Sequence, residues 1–528
     1  MATSLSFTEA AALAIVLMVG IHALRARSSS EGRRPPGPRG FPILGNLLQI
    51  PGQHPATYFR KLFEEYGGLV SLNVAGFPII LVGNMTLAKE LLEKRSAKFS
   101  SRQATPYSRC YDPDQNHWPV HSGKSHFIGR KLSASIMTGV RAGETEPLQQ
   151  FEALISATRI LDDRGSSWFH EVERTAASMV LTAGFGFHCP TGDEPELKEL
   201  LACIADIIVL SSPNGSIINA LPFLDKIPGI PKPWRVPADA FRRREEAVYG
   251  KLVTRAVSGE AAGMNTWAAL FASEDKPEGD QRRLMNPFAT AAIETTASSL
   301  QAFVLACILH PQWIARAQAQ IDTIVGPDRI PTFQDRARLP WIEAVVRETH
   351  RWRPALRFGL PHKSTADDIV EYQGQEYYIP KGSIVLAVTM AIEHDQNNYE
   401  NPDEFHPERF LDDKGQLKGG YETSAFGFGR RLCSGLPFAE RSLWINIAMM
   451  LWAFNIHKSE ERDSRTGLPF EYSSGDEAFF GGVTNAPLPF PAVFQPRTAH
   501  HEEVIREEWA NCEKDLNVLL QHKTEIDK

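Results

Sequence analysis

The ten residues FGFGRRLCSG (426–435) constrain this chain more than any other stretch, because they surround one cysteine with glycines and arginines. A buried structural cysteine behaves as a small hydrophobe and needs no such surroundings. A thiolate does need them, because its charge must be stabilised by donors, cations or a metal ion. The apolar helix predicted after Gly435 would add the positive end of its dipole. The stretch therefore predicts a thiolate at Cys433, with a buried structural cysteine as the alternative.

The same residues fit the pattern F-x-x-G-x-R-x-C-x-G, with Phe426, Gly429, Arg431, Cys433 and Gly435 in place. A chance match in a chain of this length is on the order of one in ten thousand. In this pattern the chain resembles the axial-thiolate loop of the cytochrome P-450 family, in which a cysteine holds the haem iron. The resemblance implies heme b bound through Cys433, and a mainly α fold with small β-sheets.

Composition narrows the remaining classes of protein. The chain has 528 residues, a net charge of −7 and a sequence pI of about 6.2. A nucleic-acid-binding protein would show a basic stripe, which this sequence lacks. Its six cysteines are far apart and form no CxxC pair, which argues against a disulfide scaffold and a zinc ribbon. We therefore expect a protein of a reducing compartment that binds no nucleic acid.

The N-terminus carries an apolar run from about Ala10 to Leu24, with arginines following it rather than preceding it. By the positive-inside rule, this places the rest of the chain on the cytoplasmic side. We predict a single transmembrane anchor in residues 1–26, a basic and proline-rich hinge in residues 27–46, and an endoplasmic reticulum location. A cleaved signal peptide is the alternative.

No repeat or clear boundary interrupts residues 47–495, which the resemblance assigns to one haem-thiolate catalytic domain. The segments 69–74 and 79–82 are predicted to form a hairpin, helical patterns follow to about residue 355, and strands return within 372–388. Residues 496–528 form a charged, amphipathic C-terminal extension. Its predicted helix packs either on the body or on a partner.

A second motif lies in the amphipathic helix of PWIEAVVRETHRWRP, where Glu348 and Arg351 share one face. Alone, such a pair is a surface contact worth roughly a few tenths of a kcal/mol. In the family an arginine from a later PERF stretch joins it, and this sequence supplies Arg409 there. The resemblance implies a three-charge network with a structural role.

Residues 286–312 are apolar around nearly the whole circumference of a predicted helix, so a second membrane span is one alternative. Glu294, followed by Thr295, makes exposure to lipid costly and favours a helix inside the protein. The family's central helix carries A/G-G-x-D/E-T here, and residues 291–295 match it except that Ala292 replaces glycine. The resemblance implies that Glu294 and Thr295 deliver protons for oxygen activation, with ordinary core residues as the alternative. In the family this glycine opens a groove of the helix where dioxygen lies, and the methyl group of Ala292 would narrow that groove.

The two propionates of haem require cations or donors in a poorly solvated site. Many eukaryotic members of the family use W-x-x-x-R for this purpose, and here His126 replaces the tryptophan while Arg130 is kept. The resemblance adds Arg431 and His362 as propionate partners. The alternatives are a surface or core role for His126 and an exposed loop position for His362.

The resemblance implies a monooxygenase that takes electrons from NADPH through a separate cytochrome P-450 reductase, with cytochrome b5 as an alternative donor. No flavin or nicotinamide fingerprint occurs in this chain. Residues 103–122, which should cap the substrate pocket, are polar and aromatic and favour a bulky small-molecule substrate. Residues 360–435 resemble fungal enzymes of secondary metabolism of the O-methylsterigmatocystin oxidoreductase type. This likeness implies a polyketide, alkaloid or terpenoid substrate, oxidised with O2.

Two other functions compete with this one. A redox-neutral haem-thiolate isomerase or dehydratase needs no reductase, and such branches often lose the acid–alcohol pair that is present here. A non-catalytic haem-binding sensor needs no proton relay. It predicts no substrate-dependent consumption of NADPH when reductase is present.

Overall fold

The structure is a computed structural model that describes residues 32–74, 76–137, 143–211, 216–220, 222–258, 265–272, 285–463 and 466–520. The helices in the first half are α1 (Pro55–Tyr66), α2 (Met85–Lys89), α3 (Ser96–Phe99), α4 (Ser108–Tyr111), α5 (Lys124–Ile136), α6 (Glu146–Asp162), α7 (Trp168–Phe185), α8 (Pro195–Ser211), α9 (Ile217–Ala220) and α10 (Arg235–Val257). Those in the second half are α11 (Trp267–Ala272), α12 (Asn286–Leu309), α13 (Ile314–Ile324), α14 (Pro340–Trp352), α15 (Thr389–Glu393), α16 (Leu436–Ala453), α17 (Ala499–Asn511) and α18 (Leu516–Leu519).

The strands are short and few beside these helices, which confirms a mainly α chain with small β-sheets. They are β1 (Leu69–Val74), β2 (Phe77–Val82), β3 (His362–Lys363), β4 (Asp368–Tyr372), β5 (Gln375–Ile379), β6 (Ile384–Ala387), β7 (Phe454–Lys458) and β8 (Ala492–Pro496).

The chain forms two compact units built from interleaved segments. The smaller unit comprises the chain up to Gln103, Phe358–Asp395 and Gly427–Arg431. The larger unit comprises Ala104–Arg357, Gln396–Phe426 and the chain from Leu432. Because the chain passes repeatedly from one unit to the other, no single sequence position marks a domain boundary.

In the smaller unit, four strands form one sheet in the order β1-β2-β6-β3. The predicted hairpin of β1 and β2 is confirmed, although β2 begins at Phe77 rather than at Ile79. Pro78 is tolerated there because β2 pairs with β6 only from Ile79 onwards, so the proline removes no donor from that side. The strands predicted within 372–388 are also present, as the β4–β5 hairpin and β6.

The proline-rich segment predicted as a hinge is docked on the smaller unit where the structure describes it, rather than being a detached spacer. The Ser71 N–H donates to the Pro36 carbonyl over 2.8 Å, and a bridge joins Gly45 to Val74. Glycine allows this approach, since a Cβ at Gly37 would lie 2.1 Å from the Ser71 carbonyl oxygen.

The larger unit is organised around α12, which packs against α7, α14 and α16. In the described part of the chain, α12 is the one helix long and apolar enough to cross a membrane, but 78% of its most apolar window is buried inside the protein. Helix α12 is therefore the interior helix that the position of Glu294 predicts, and it is not a second membrane span. The predicted N-terminal anchor, residues 1–26, lies outside the described residues.

The C-terminal extension packs on the body of the larger unit. It forms α17 and the short α18 rather than one continuous helix, with Cys512 following the end of α17. The Trp509 ring stacks on Phe151 of α6 at a centroid distance of 5.9 Å, and Leu519 is buried in the same cluster. Between the two alternatives for this extension, packing on the body is the one observed.

Candidate active site

The cysteine loop enters α16 directly, as the sequence predicts. The Cys433 N–H donates to the Phe426 carbonyl over 2.8 Å, which closes the loop, and Gly435 is the N-cap of α16. The backbone N–H groups of Gly435 and Leu436 point at the Cys433 sulfur. A helix N-terminus therefore meets the sulfur, and this arrangement favours a thiolate.

Cys433 differs from every other cysteine of the chain in its exposure. Cys433 is exposed, Cys189, Cys203 and Cys307 are buried, and the remaining two are partly buried. Removal from bulk water raises the pKa of the Cys433 thiol, while the N–H donors and the charge of Arg130 act in the opposite direction. An exposed cysteine residue with donors already aimed at its sulfur is suited to binding a metal ion.

Helix α14 supports the start of this loop in the larger unit. His350 of α14 lies edge-on to the Phe426 ring at a centroid distance of 4.8 Å. Burial lowers the pKa of His350 to about 4, so the imidazole is neutral at physiological pH. The neutral ring packs against Phe426 as an apolar group, and it fixes the residue whose carbonyl accepts from Cys433.

The predicted Glu348 network is confirmed. Arg351 donates twice to Glu348, from Nε over 2.6 Å and from Nη2 over 2.8 Å, and Arg409 donates to the same carboxylate over 3.1 Å. Arg351 also donates to the carbonyls of Pro402 and Glu404. This network, named here the Glu348 cluster (Glu348, Arg351 and Arg409), ties α14 to the segment that leads to the cysteine loop.

Helix α12 is buried on both sides of one open notch. Residues 286–289 and 296–308 are buried, whereas Ala291 is exposed and Glu294 and Thr295 are half-buried. An apolar helix that uncovers an alanine at its middle leaves room for a ligand beside it. The uncovered residues are those that the sequence motif singled out. Ala292 packs partly buried against the neighbouring core, so Ala291 is the more open of the two alanines.

The acid–alcohol pair has defined partners within the larger unit. The Thr484 hydroxyl donates to Glu294 Oε2 over 3.1 Å, and the Thr295 hydroxyl donates to the Ala291 carbonyl over 2.7 Å. Burial raises the pKa of Glu294, the Glu173 charge adds to this, and the Thr484 hydrogen bond opposes it. Glu294 is thus a carboxyl group that keeps its proton to a higher pH than usual, which suits a proton donor.

Arg130 and His126 lie one turn apart on α5, and Arg130 is linked to the cysteine loop. Arg130 Nη1 donates to the Leu432 carbonyl over 2.6 Å, and its charge interacts with Cys433. Burial lowers the pKa of Arg130, and Cys433 partly offsets this. The His126 ring lies 6.0 Å from Trp118 and is partly buried.

The other two predicted propionate partners lie in the smaller unit. Arg431 Nε donates to the Ser100 carbonyl over 2.7 Å, and His362 Nδ1 lies 2.7 Å from the Phe99 carbonyl. His362 is buried in β3, so the alternative of an exposed loop position is wrong. Burial lowers its pKa to about 3, and the charges of Arg102 and Arg431 add to that effect.

Sequence reasoning missed Arg102, which belongs with these two residues. Its Nη1 donates to the Leu360 and Pro361 carbonyls over 2.6 Å each. Burial lowers the pKa of Arg102 to about 9, and repulsion from Arg431 adds to it. We name Arg102, His362 and Arg431 the cation cluster. Arg431 adds to the effect of burial in lowering the pKa values of Arg102 and His362, so an anion bound here would relieve that repulsion.

Within each unit taken separately, these residues fit the haem that the resemblance implies. The larger unit supplies an exposed sulfur with N–H donors and a helix with an uncovered notch. The smaller unit supplies positive charge of the kind that two carboxylates require. Arg431 is two residues from Cys433 in the chain, so covalent connection alone keeps a cation near the sulfur.

Comparison with known proteins agrees with this geometry. The family model described as Cytochrome P450 matches residues 35–472. Cytochrome P450 monooxygenase 231 of Postia placenta is 30% identical over 97% of this chain and 98% of its own length. Cytochrome P450 monooxygenase 58 of the same organism is 32% identical over 92% of this chain and 93% of its own length. Cytochrome P450 monooxygenase aneD of Aspergillus aculeatus is 30% identical over 97% of both chains.

Proposed function

This chain belongs to the cytochrome P450 family and is a monooxygenase of that family; from this premise we propose that it inserts one oxygen atom of O2 into a bulky intermediate of secondary-metabolite biosynthesis. The observation that carries the proposal is Cys433, an exposed cysteine with two N–H donors at its sulfur. The uncovered acid–alcohol pair of Glu294 and Thr295 supports oxygen activation over a redox-neutral rearrangement or a haem-binding sensor.

We assign the cofactor contacts as follows. When bound, haem would supply the activation of dioxygen, and Cys433 would hold its iron through a thiolate. Cys433 holds the iron, and the N–H groups of Gly435 and Leu436 stabilise the charge on the sulfur. The propionates are neutralised by arginines, with the histidines as further hydrogen-bonding groups: Arg130, Arg431, Arg102, His126 and His362.

Glu294 is the proton donor in this proposal. Its raised pKa favours the protonated carboxyl group to a higher pH than usual, and the Thr484 hydroxyl at Oε2 holds that group in place. Thr295 presents Oγ1 at the uncovered notch one residue further on. Protons therefore move from Glu294 through water towards the side of α12 on which Thr295 lies.

The polar and aromatic segment that follows Gln103 supports a bulky, functionalised substrate. In the larger unit, His117 of this segment bonds to Glu245 of α10 at 2.9 Å, and Tyr111 meets Phe241 edge-on at 5.6 Å. A polar and aromatic capping segment favours a bulky, functionalised substrate over an aliphatic chain, and the resemblance to fungal enzymes of secondary metabolism supports a polyketide, alkaloid or terpenoid.

The proposal includes a membrane location and a separate source of electrons. We propose that residues 1–26 anchor the protein in the endoplasmic reticulum membrane with the catalytic body in the cytoplasm. Exposed apolar side chains in the smaller unit, at Phe41, Leu44 and Leu48, support contact with a lipid surface soon after the anchor. Electrons come from NADPH through a cytochrome P-450 reductase.

The first experiment is the carbon monoxide difference spectrum of the reduced protein, compared between the wild type and Cys433→Ser. Cys512→Ser is the matched control, because Cys512 is partly buried in the C-terminal extension. We expect the strongly red-shifted Soret band of thiolate ligation in the wild type and the control, and its loss in Cys433→Ser. The same band in haem-loaded Cys433→Ser would refute the assignment.

Substrate-dependent NADPH consumption with reductase then tests turnover. Spin-shift titrations with polyketides, alkaloids and terpenoids rank the substrate classes. Turnover of none of these classes by a protein with the thiolate band would refute the substrate proposal while leaving the ligand assignment intact.

A further inference from the structure

A polar stripe runs along one face of α12 from Glu294. Ser298 and Gln301 follow Glu294 by four and seven residues, so the three side chains lie on the same face of the helix. The whole stripe covers about 10 Å of the helix axis. Ser298 and Gln301 are each 1% exposed, so the stripe leads from the half-buried Glu294 into the interior of the larger unit. We name these three residues the polar stripe.

The two buried members of the polar stripe keep oxygen atoms that can accept further hydrogen bonds. The Ser298 hydroxyl donates to the Thr295 carbonyl over 3.1 Å, which uses its one proton and leaves its oxygen as an acceptor. Among the residues that the structure describes, none bonds to the buried Oε1 of Gln301. A buried polar atom without a partner is costly, so this oxygen calls for an ordered water.

The far end of the polar stripe meets a second carboxyl group, Glu173 of α7. Helix α7 packs against α12, and Gln301 Nε2 donates to Glu173 Oε1 over 3.4 Å. Glu173 is partly exposed, although Val172 and Arg174 on either side of it are buried. His170, one turn earlier on α7, is exposed. Glu173 is therefore in contact with solvent on one side and with the buried end of the stripe on the other.

The two carboxyl groups also influence each other. Burial raises the pKa of Glu294, the Thr484 hydrogen bond opposes this, and the Glu173 charge adds to it. Burial likewise raises the pKa of Glu173, and the charge of His170 and the Gln301 hydrogen bond act in the opposite direction. Two carboxyl groups that both favour the neutral form are suited to taking up a proton and passing it on.

We propose that Glu173 is the group through which protons from solvent reach Glu294, and that Gln301 and Ser298 hold the water that carries them along α12. A proton moves from Glu173 to this water and from the water to Glu294, and solvent then protonates Glu173 again. The inference rests on the proposed function, because inserting one oxygen atom of O2 turns the other into water and consumes two electrons and two protons. Glu173 acts only through Glu294.

The rate at which Glu294 takes up a proton tests this without any turnover. Photolysis of a caged proton lowers the pH of the haem-loaded full-length protein, and time-resolved infrared spectroscopy follows the carboxyl C=O band that Glu294→Gln lacks. We expect Glu173→Gln to slow the appearance of this band at least about tenfold, and Gln301→Leu about threefold. Glu503→Gln is the control, because Glu503 is an exposed acid of α17. An unchanged rate in Glu173→Gln, or equal slowing in the control, would overturn the proposal.

A conservative variant separates proton transfer from packing. Glu173→Asp keeps a carboxyl group on α7 and should retain most of the rate. In Glu173→Gln the midpoint of the Glu294 band should also move to lower pH, because a charge that raises its pKa is lost. If Glu173→Asp were as slow as Glu173→Gln, the effect would come from packing and the proton path would be wrong.

Turnover distinguishes this inference from the proposed function. With NADPH and reductase, Glu173→Gln should form product more slowly and with a larger solvent isotope effect than the wild type. Product formation supported by an organic hydroperoxide should be unchanged, because that reaction takes up no electrons or protons. A wild type that forms no product with NADPH would refute the proposed function. A wild type that does so, beside an equally fast Glu173→Gln, would refute the role of Glu173 alone.

Discussion

The Glu348 cluster of the larger unit and the cation cluster of the smaller unit are both built around two arginines, but their charges are balanced differently. In the Glu348 cluster, Arg351 and Arg409 share one fully buried carboxylate. In the cation cluster, Arg102 and Arg431 donate to neutral backbone carbonyls, and their charges lower the pKa of His362. The first cluster contains its own carboxylate, whereas the three residues of the second are all basic and are electrostatically suited to an added anion.

This difference separates bracing residues from ligand-binding residues without reference to any relative. A buried cation that pairs with a carboxylate of the same protein needs no ligand to account for it. Removing that carboxylate leaves an uncompensated charge in the interior. Cations gathered against one another lose stability in the free protein and regain it when an anion binds. The Glu348 cluster should therefore stabilise the chain equally with and without haem, whereas the cation cluster should gain stability when haem binds.

Removal of the shared carboxylate should have the largest effect. Glu348→Gln leaves Arg351 and Arg409 without a buried counter-charge, and we expect a loss of about 3–5 kcal/mol in the free energy of unfolding. Glu408→Gln is the control, because its pairing with Arg316 is surface-exposed and worth at most about 1 kcal/mol. Urea unfolding with and without haem measures both. If haem binding restored the free energy of unfolding of Glu348→Gln, the structural role assigned to the Glu348 cluster would be wrong.

In the loop that carries Arg431, a side chain at Gly429 should cost more stability than a side chain at Gly427. Gly427 and Gly429 have φ angles of 76° and 52°, so a side chain at either position costs about 1–2 kcal/mol. A Cβ at Gly429 would also lie 2.3 Å from the Leu92 carbonyl oxygen, whereas at Gly427 the nearest atom lies at 3.7 Å. We expect Gly429→Ala to lose about 2–4 kcal/mol and Gly427→Ala only the smaller amount.

Thermal unfolding of the two glycine variants checks this order. The larger loss in Gly429→Ala should appear with and without haem, because its cause is a steric clash. Equal losses in the two variants would contradict the geometry of the loop.

Local sequence was sufficient where a function requires a fixed spacing along the chain. The cysteine loop, the Glu348–Arg351 pair and the notch of α12 each lie within one loop or on one helix face, so residue types and spacing identified them. The short strands could be predicted from the alternation of apolar and polar residues. The interior position of α12 could be predicted from the cost of exposing Glu294 to lipid.

Contacts between distant segments could not be predicted in this way. Thr484 lies 190 residues from the carboxylate that it contacts, in a loop with no regular period. Arg102 follows two serines in FSSR, and the Leu360 and Pro361 carbonyls that accept from it are more than 250 residues away. The proline-rich segment can approach β1 because glycines face that strand, where a Cβ would clash with its carbonyl oxygens. The sequence alone does not show which strand these glycines face.

Removal of one charge from the cation cluster should affect haem more than folding. Arg102→Gln keeps a hydrogen-bonding amide but relieves the repulsion from Arg431, so we expect unfolding of the haem-free protein to change by less than about 1 kcal/mol. Loss of a charge partner for a propionate should speed haem dissociation by about tenfold, which corresponds to about 1.4 kcal/mol. Transfer of haem to an excess of apomyoglobin measures the rate. Unchanged dissociation would remove Arg102 from the haem site.

A substitution at Thr484 should have the smallest effect. Burial raises the pKa of Glu294, whereas the Thr484 hydrogen bond lowers it. Because the folded-state pKa of Glu294 lies above its usual value, its protonation favours the folded state at low pH, and this contribution is lost as the pH rises through the folded pKa. Thr484→Val removes the opposing hydrogen bond, so Glu294 should ionise at a still higher pH. The pH profile of product formed per NADPH consumed should shift upwards, whereas Thr484→Ser, which keeps the hydroxyl, should not shift it. A shift to lower pH in Thr484→Val would show that Glu294 does not govern the profile.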